Sequence, residues 1–176
     1  MTQLTEYILI SACLLGERVR FDGRVRKHLK DKIVQWRSQE RLIAFCPEVA
    51  GGLSVPRPRA EIVAGVGCDV LCGKARVADA RGRNVTAAFL QGAQIAMEFA
   101  LKGRTSVAVM KDGSPSCGVS YIYDGSFSGK RIPGSGVTTA LLKANGIKVY
   151  SEKDIICFRA SKMSGSGVTN FKRVLY

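Results

Sequence analysis

Ile8-Leu9-Ile10-Ser11-Ala12-Cys13 is the stretch on which the fold turns. Its apolar run is too short for a helix and reads as a buried strand, with a cysteine just past its C-terminal end. The pattern recurs further along. Leu42-Ile43-Ala44-Phe45 runs directly into Cys46, and Ser106-Val107-Ala108-Val109-Met110 is followed by Ser114-Pro115-Ser116-Cys117-Gly118. In open α/β sheets the carboxyl edge of the strands is where ligands bind. Three thiols meeting at that edge can hold a metal or cluster and leave one coordination position free, as catalytic metal sites do.

The segments between these strands fit the same plan. Strands are expected at about 6–12, 41–46, 105–110 and 147–150, and helices at about 26–39, 84–102 and 137–145. The helix at 84–102 has Asn84 as an N-cap and Gly103 as a stop, with Ala88, Phe89, Ala93, Ala96, Met97 and Ala100 on its apolar face. Asn145-Gly146 closes the third helix. Residues 51–59 are rich in glycine and proline and read as irregular. Short β-prone pieces near Ile62-Val63 and at 75–78 flank Cys68 and Cys72, and residues 121–136 read as one short strand and a glycine-rich loop. Alternating strands and helices predict a single three-layer α/β domain over residues 1–158, built on a mostly parallel, Rossmann-like sheet. Residues 159–176 read as a flexible basic tail, linked through the Ser/Gly-rich stretch 161–167.

Composition narrows the chemistry. The chain has 176 residues, 46% of them hydrophobic, with no apolar run long enough to span a bilayer and no secretory signal pattern. A cytoplasmic protein without a membrane partner is expected, and its six cysteines would then be reduced. The one histidine, His28, rules out metal sites with two or three histidines and lies in a basic stretch that reads as surface. Lys and Arg number 27 against 14 Asp and Glu, a net charge of +13. Such an excess suits an anionic partner such as a nucleotide, RNA or phosphate, and suits a solvated basic surface equally.

The cysteine spacing, 33 residues from Cys13 to Cys46 and 71 from there to Cys117, matches no compact zinc or ferredoxin motif. Taken singly, each is most simply a buried structural cysteine; their shared position at strand ends argues for a joint role. Cys46-Pro47-Glu48 places a carboxylate two residues from a thiol, where it can act as a general acid or base. The loop around Cys117 offers the hydroxyls of Ser114 and Ser116 and free backbone amides to a bound oxygen or polarised ring. Cys68, Cys72 and Cys157 read as non-ligands, and the glycines of 129–136 match neither phosphate-loop nor dinucleotide patterns.

At this point a family is recognisable. Ser11-Ala12-Cys13-Leu14-Leu15-Gly16 with Phe21-Asp22-Gly23, Cys46-Pro47-Glu48 with Gly51-Gly52-Leu53 and Pro56-Arg57-Pro58, Ser114-Pro115-Ser116-Cys117-Gly118, and Tyr123-Asp124-Gly125-Ser126-Phe127-Ser128-Gly129 resemble blocks of the thiouracil desulfidase-type family, formerly domain of unknown function 523. The resemblance covers roughly residues 6–155. It implies a 4Fe–4S cluster, easily lost in air, held by Cys13, Cys46 and Cys117 with one iron open. It implies Glu48 as the acid/base residue and Ser114 as the assisting polar residue near the substrate. The implied reaction is non-redox desulfuration of a thiolated pyrimidine, as base or nucleotide, with release of hydrosulfide and no obligatory redox partner. Thiolated tRNA carries the same reactive group and stands as a further candidate substrate. Arg57 and Arg59 are the expected phosphate partners and Ser116 an expected substrate contact. The rival expectations are a basic nucleotide- or RNA-binding module with structural cysteines or zinc, and a sulfurtransferase with one nucleophilic cysteine.

Overall fold

The computed structural model describes residues 7–25 and 31–157. Its strands are β1 (Ile8–Ser11), β2 (Leu42–Phe45), β3 (Ala60–Val63), β4 (Arg76–Asp79), β5 (Val107–Met110), β6 (Tyr121–Tyr123), β7 (Arg131–Pro133) and β8 (Lys148–Ser151). Its α-helices are α1 (Asp31–Ser38), α2 (Pro47–Ala50), α3 (Gly67–Leu71), α4 (Thr86–Lys102) and α5 (Val137–Ala144).

β2, β1, β5 and β8 form a parallel four-stranded sheet in that order. Ile8 stands opposite both Leu42 and Val107, and Ser11 opposite Phe45, so the strand ends lie level. The chain moves from β1 to one neighbour and later returns to the other, so the order reverses between β1 and β5. That switch point opens a crevice at the carboxyl edge.

Every residue of β1 and β5 is buried, as expected for central parallel strands covered on both faces. Leu9, Ile43, Phe45, Ala108 and Met110 pack with Ala96 and Ala100 of α4 and Leu142 of α5. Ile8, Ile10, Val107 and Val109 pack with Ile33 and Trp36 of α1 and with Ile155. The two-residue alternation of strand side chains thus supplies both inner faces of a three-layer α/β domain. A third cluster joins Ile62, Val77, Ile122 and Val137 to Phe89 and Ala93 at the start of α4. It lies beneath two antiparallel ribbons, β3 with β4 and β6 with β7.

The structure refines several expectations. Asn84 stands one residue before the N-cap position, yet its carboxamide oxygen still accepts the Thr86 N–H at 3.0 Å. Gly103 ends α4 as anticipated. Part of the glycine-rich stretch after β6 is a strand, β7, rather than loop, because three residues ending in proline carry no readable period. The one-turn helices α2 and α3 are too short to show one either. Residues 26–30 of the helix expected at 26–39, His28 among them, and the proposed 159–176 tail lie outside the described residues. Among the described residues, no helix is long and apolar enough to cross a membrane.

Candidate functional site

Three local devices bring the thiols to the crevice. After β1 the chain makes a single 3₁₀ turn, Ala12–Leu15, which carries Cys13 and closes on Gly16 at φ +86°, a left-handed geometry that favours glycine. After β2, Cys46 is the N-cap of α2, with Pro47 at the first helical position, where a missing N–H costs nothing. After β5, the Cys117 loop is gripped by the start of α5. There the Val137 N–H donates to Pro115 O at 2.9 Å, the Thr138 N–H to Ser116 O at 3.0 Å, and Thr139 Oγ1 to Cys117 O at 2.8 Å.

All three thiols line one cleft of about 470 Å³, a size that suits a small-molecule ligand. Cys46 and Cys117 are buried and Cys13 partly so. Burial, followed by the nearby Cys46, pushes the Cys13 thiol up to about 12, while Arg20 and Lys111 pull it the other way. Burial and then the Glu48 charge raise Cys46. Burial raises Cys117 well above the usual thiol range, and charge on Cys13 or Cys46 would raise it further. The three sulfurs therefore feel one another. Metal ligation requires thiolates, and a bound cationic group would offset the burial that disfavours them here. Among the described residues, no three of His, Cys, Asp and Glu gather tightly enough to grip a single metal ion.

Glu48, the second residue of α2, forms part of the cleft wall. Its Oε2 accepts from Arg57 Nε at 2.9 Å, with Arg57 Nη2 at 2.8 Å from the same oxygen. Its Oε1 accepts from Ser114 Oγ at 3.2 Å. Ser114 Oγ in turn accepts from the Ser116 and Cys117 N–H groups, each at 3.1 Å. The acid/base candidate and the serine expected near the substrate are thus hydrogen-bonded to each other, although 66 residues separate them.

Arg59 lies over the Phe127 ring at 5.6 Å and donates to Phe127 O. Buried Glu61 fixes that loop by accepting from the Gly125 and Phe127 N–H groups at 3.1 and 3.0 Å. Arg131 lies over the Tyr121 ring at 4.8 Å. Both arginines line the cleft, and neither forms an ion pair among the described residues. Lys111, also in the cleft lining, pairs with Glu152.

Two expected substrate contacts are placed differently. Ser116 is fully buried, absent from the cleft lining, and shares a 2.8 Å hydrogen bond with Thr138 Oγ1, because the tight turn before Cys117 points its side chain into the α5 contact. Arg57 lines the cleft, but its guanidinium is committed to Glu48 and to the carbonyls of Val19 and Ser54, so a phosphate would have to compete for it. Sequence reasoning missed Arg131 and Tyr121. They belong to the β6–β7 ribbon, whose second strand carries no periodic signal. Cys68 and Cys72 are exposed on and beside α3 and do not line the cleft.

The model of the 2-thiouracil desulfurase family matches residues 8–154. An uncharacterised Bacillus subtilis (strain 168) protein, YbbK, is 43% identical over 148 residues, which cover 84% of this chain and 97% of the relative. The solved structure of TudS, a 4Fe–4S-dependent thiouracil desulfidase, matches with a TM-score of 0.78 and 42% identity, covering 86% of this chain and 93% of that one. On these matches, which span nearly the whole described domain, the chain belongs to the 2-thiouracil desulfurase family.

Proposed function

We propose that this chain desulfurates a thiolated pyrimidine, base or nucleotide, without redox chemistry, and that Cys13, Cys46 and Cys117 hold a 4Fe–4S cluster for the reaction. One observation carries the proposal: three thiols line the same cleft as a hydrogen-bonded Glu48–Ser114 pair. The donor set suits the group. Thiolates select soft metals and clusters, and Cys13, Cys46 and Cys117 would supply three of them to one cleft. When bound, the cluster would supply a Lewis acid with one coordination position free of protein.

The chain's own residues account for the proton traffic. Arg57 keeps Glu48 Oε2 occupied and leaves Oε1 toward Ser114 and the cleft. An attacking water adds its oxygen to the ring carbon that bears sulfur and gives one proton to Glu48. The carbon–sulfur bond then breaks, and the sulfur departs as hydrosulfide with the proton that Glu48 returns. The second water proton goes to solvent, so thione and water become the oxo pyrimidine, hydrosulfide and a proton, and no electron changes hands. Ser114 steers Glu48 by donating to it, and its oxygen is itself fixed by two backbone amides. For a nucleotide substrate, Arg59 and Arg131 are the cations free to meet the phosphate.

Anaerobic reconstitution followed by assay on 2-thiouracil, 4-thiouracil and 4-thiouridine monophosphate tests this. Sulfide release that tracks cluster content and vanishes in Glu48→Ala is the expected result. Charge reversal at Arg59 and Arg131 should harm the nucleotide more than the free base. A chain that takes up no cluster with its three thiols reduced would instead be a basic nucleotide-binding module. A loaded chain inert on all three compounds would lose this substrate assignment.

A further inference from the structure

Arg57 stands where a phosphate partner was expected, yet its contacts point inward. Its side chain is 6% exposed. Nε donates to Glu48 Oε2 at 2.9 Å, Nη2 to Val19 O at 2.9 Å, and Nη1 to Ser54 O at 3.1 Å. Val19 O also accepts from the Cys46 thiol at 3.8 Å. From Glu48 the contacts continue through Ser114 Oγ to the Cys117 N–H. Val19 lies in the loop after Cys13, Glu48 follows Cys46, and Ser114 precedes Cys117. One line of polar contacts therefore ties together all three thiol-bearing segments, with Arg57 at its branch point.

We propose that Arg57 is a positioning residue: it braces the three thiol-bearing segments into a cluster-ready arrangement and fixes the orientation of Glu48. The inference rests on the function proposed above. A guanidinium carries five donors in a rigid fork and no acceptor, and here that fork reaches the Glu48 carboxylate and the Val19 and Ser54 carbonyls. Removing it leaves Glu48 without its cation and Val19 O without its strongest donor, which loosens the joint between two thiol-bearing loops. Residues that orient ligands from behind commonly change metal affinity or activity by about 10–100-fold when lost.

The test compares wild type with Arg57→Gln and Arg57→Lys, each reconstituted anaerobically. One arm follows loss of the cluster absorbance to an iron chelator without substrate. The other measures kcat and KM on 4-thiouracil and on 4-thiouridine monophosphate. The glutamine variant should lose its cluster about tenfold faster and drop kcat by a similar factor on both substrates, with KM little changed. The lysine variant, with charge but no fork, should fall between it and wild type in both arms. Two results overturn the proposal: unchanged chelator resistance in both variants, or a loss confined to KM for the nucleotide, which would make Arg57 a phosphate ligand. If loaded wild type turns over neither substrate, the function proposal fails, while the chelator arm still decides the role of Arg57.

Discussion

Ser114 spends one oxygen on three hydrogen bonds, giving one to Glu48 and taking one each from the Ser116 and Cys117 amides. Ser114→Ala should therefore cost both function and stability. Two amides lose their acceptor, worth about 1–3 kcal/mol if they stay dry. Turnover should fall about tenfold or more as Glu48 loses its guide, a change that kcat and urea melts together would register. Asp112 is a second informative residue. It is buried, and its Oδ1 accepts from the Val119, Ser120 and Tyr121 N–H groups at 3.0, 3.0 and 3.3 Å. Burial pushes its carboxyl up, but the three amides outweigh burial and hold it below the ordinary carboxylate range. The unfolded chain then takes up this proton first as pH falls. The stabilisation is complete above the unfolded value of about 4 and is lost as pH drops through the lower folded one. Asp112→Asn should weaken the protein at neutral pH and flatten its loss of stability on acidification, as urea melts over a pH series would show.

At the level of elements, the decisive contact is that of α2 against α4. Their backbones meet through two glycines. A Cβ on Gly92 would stand 2.0 Å from Pro47 O, and one on Gly51 2.0 Å from Ala88 O. Since α2 follows Cys46 and carries Glu48, this approach sets how deep both sit. Gly92→Ala should force the helices apart at a cost of about 1–3 kcal/mol. It should also reduce cluster uptake, because the shift acts directly on the Cys46 segment. Thermal melts and iron content after reconstitution would report the two effects separately. The sequence marked residues 51–59 as irregular, and α2 just before them shows no 3.6-residue period, since one helical turn cannot display one. The same limit hid β7, and with it Arg131 on the cleft wall.

For the whole molecule, the net charge of +13 becomes useful where it is focused. Arg59 and Arg131 stand in the cleft outside any ion pair among the described residues, whereas Arg57 and Lys111 are neutralised by Glu48 and Glu152. Raising salt from low to physiological strength should then lower kcat/KM for 4-thiouridine monophosphate and leave uncharged thiouracil nearly unaffected, because screening acts over about 8–10 Å. Equal salt dependence for both compounds would show that the phosphate is not read electrostatically. The position of the cleft follows from the sheet itself: with β1 central and β5 on its far side, the crevice opens where the Cys13 and Cys117 segments diverge.

By itself, the sequence determined the four strands of the parallel sheet and the cysteine that follows each of three of them, because hydrophobic runs and turn residues are local signals. It also placed Glu48 and Ser114 near those thiols. Tertiary structure alone decided that these two meet, that Ser116 turns away into the α5 contact, and that Arg57 serves Glu48 and Val19 instead of standing open in the cleft. Those pairings join residues 9 to 66 positions apart. No local pattern encodes such partners; they are fixed by the parallel register of the sheet and by the close glycine packing that brings α2 onto α4.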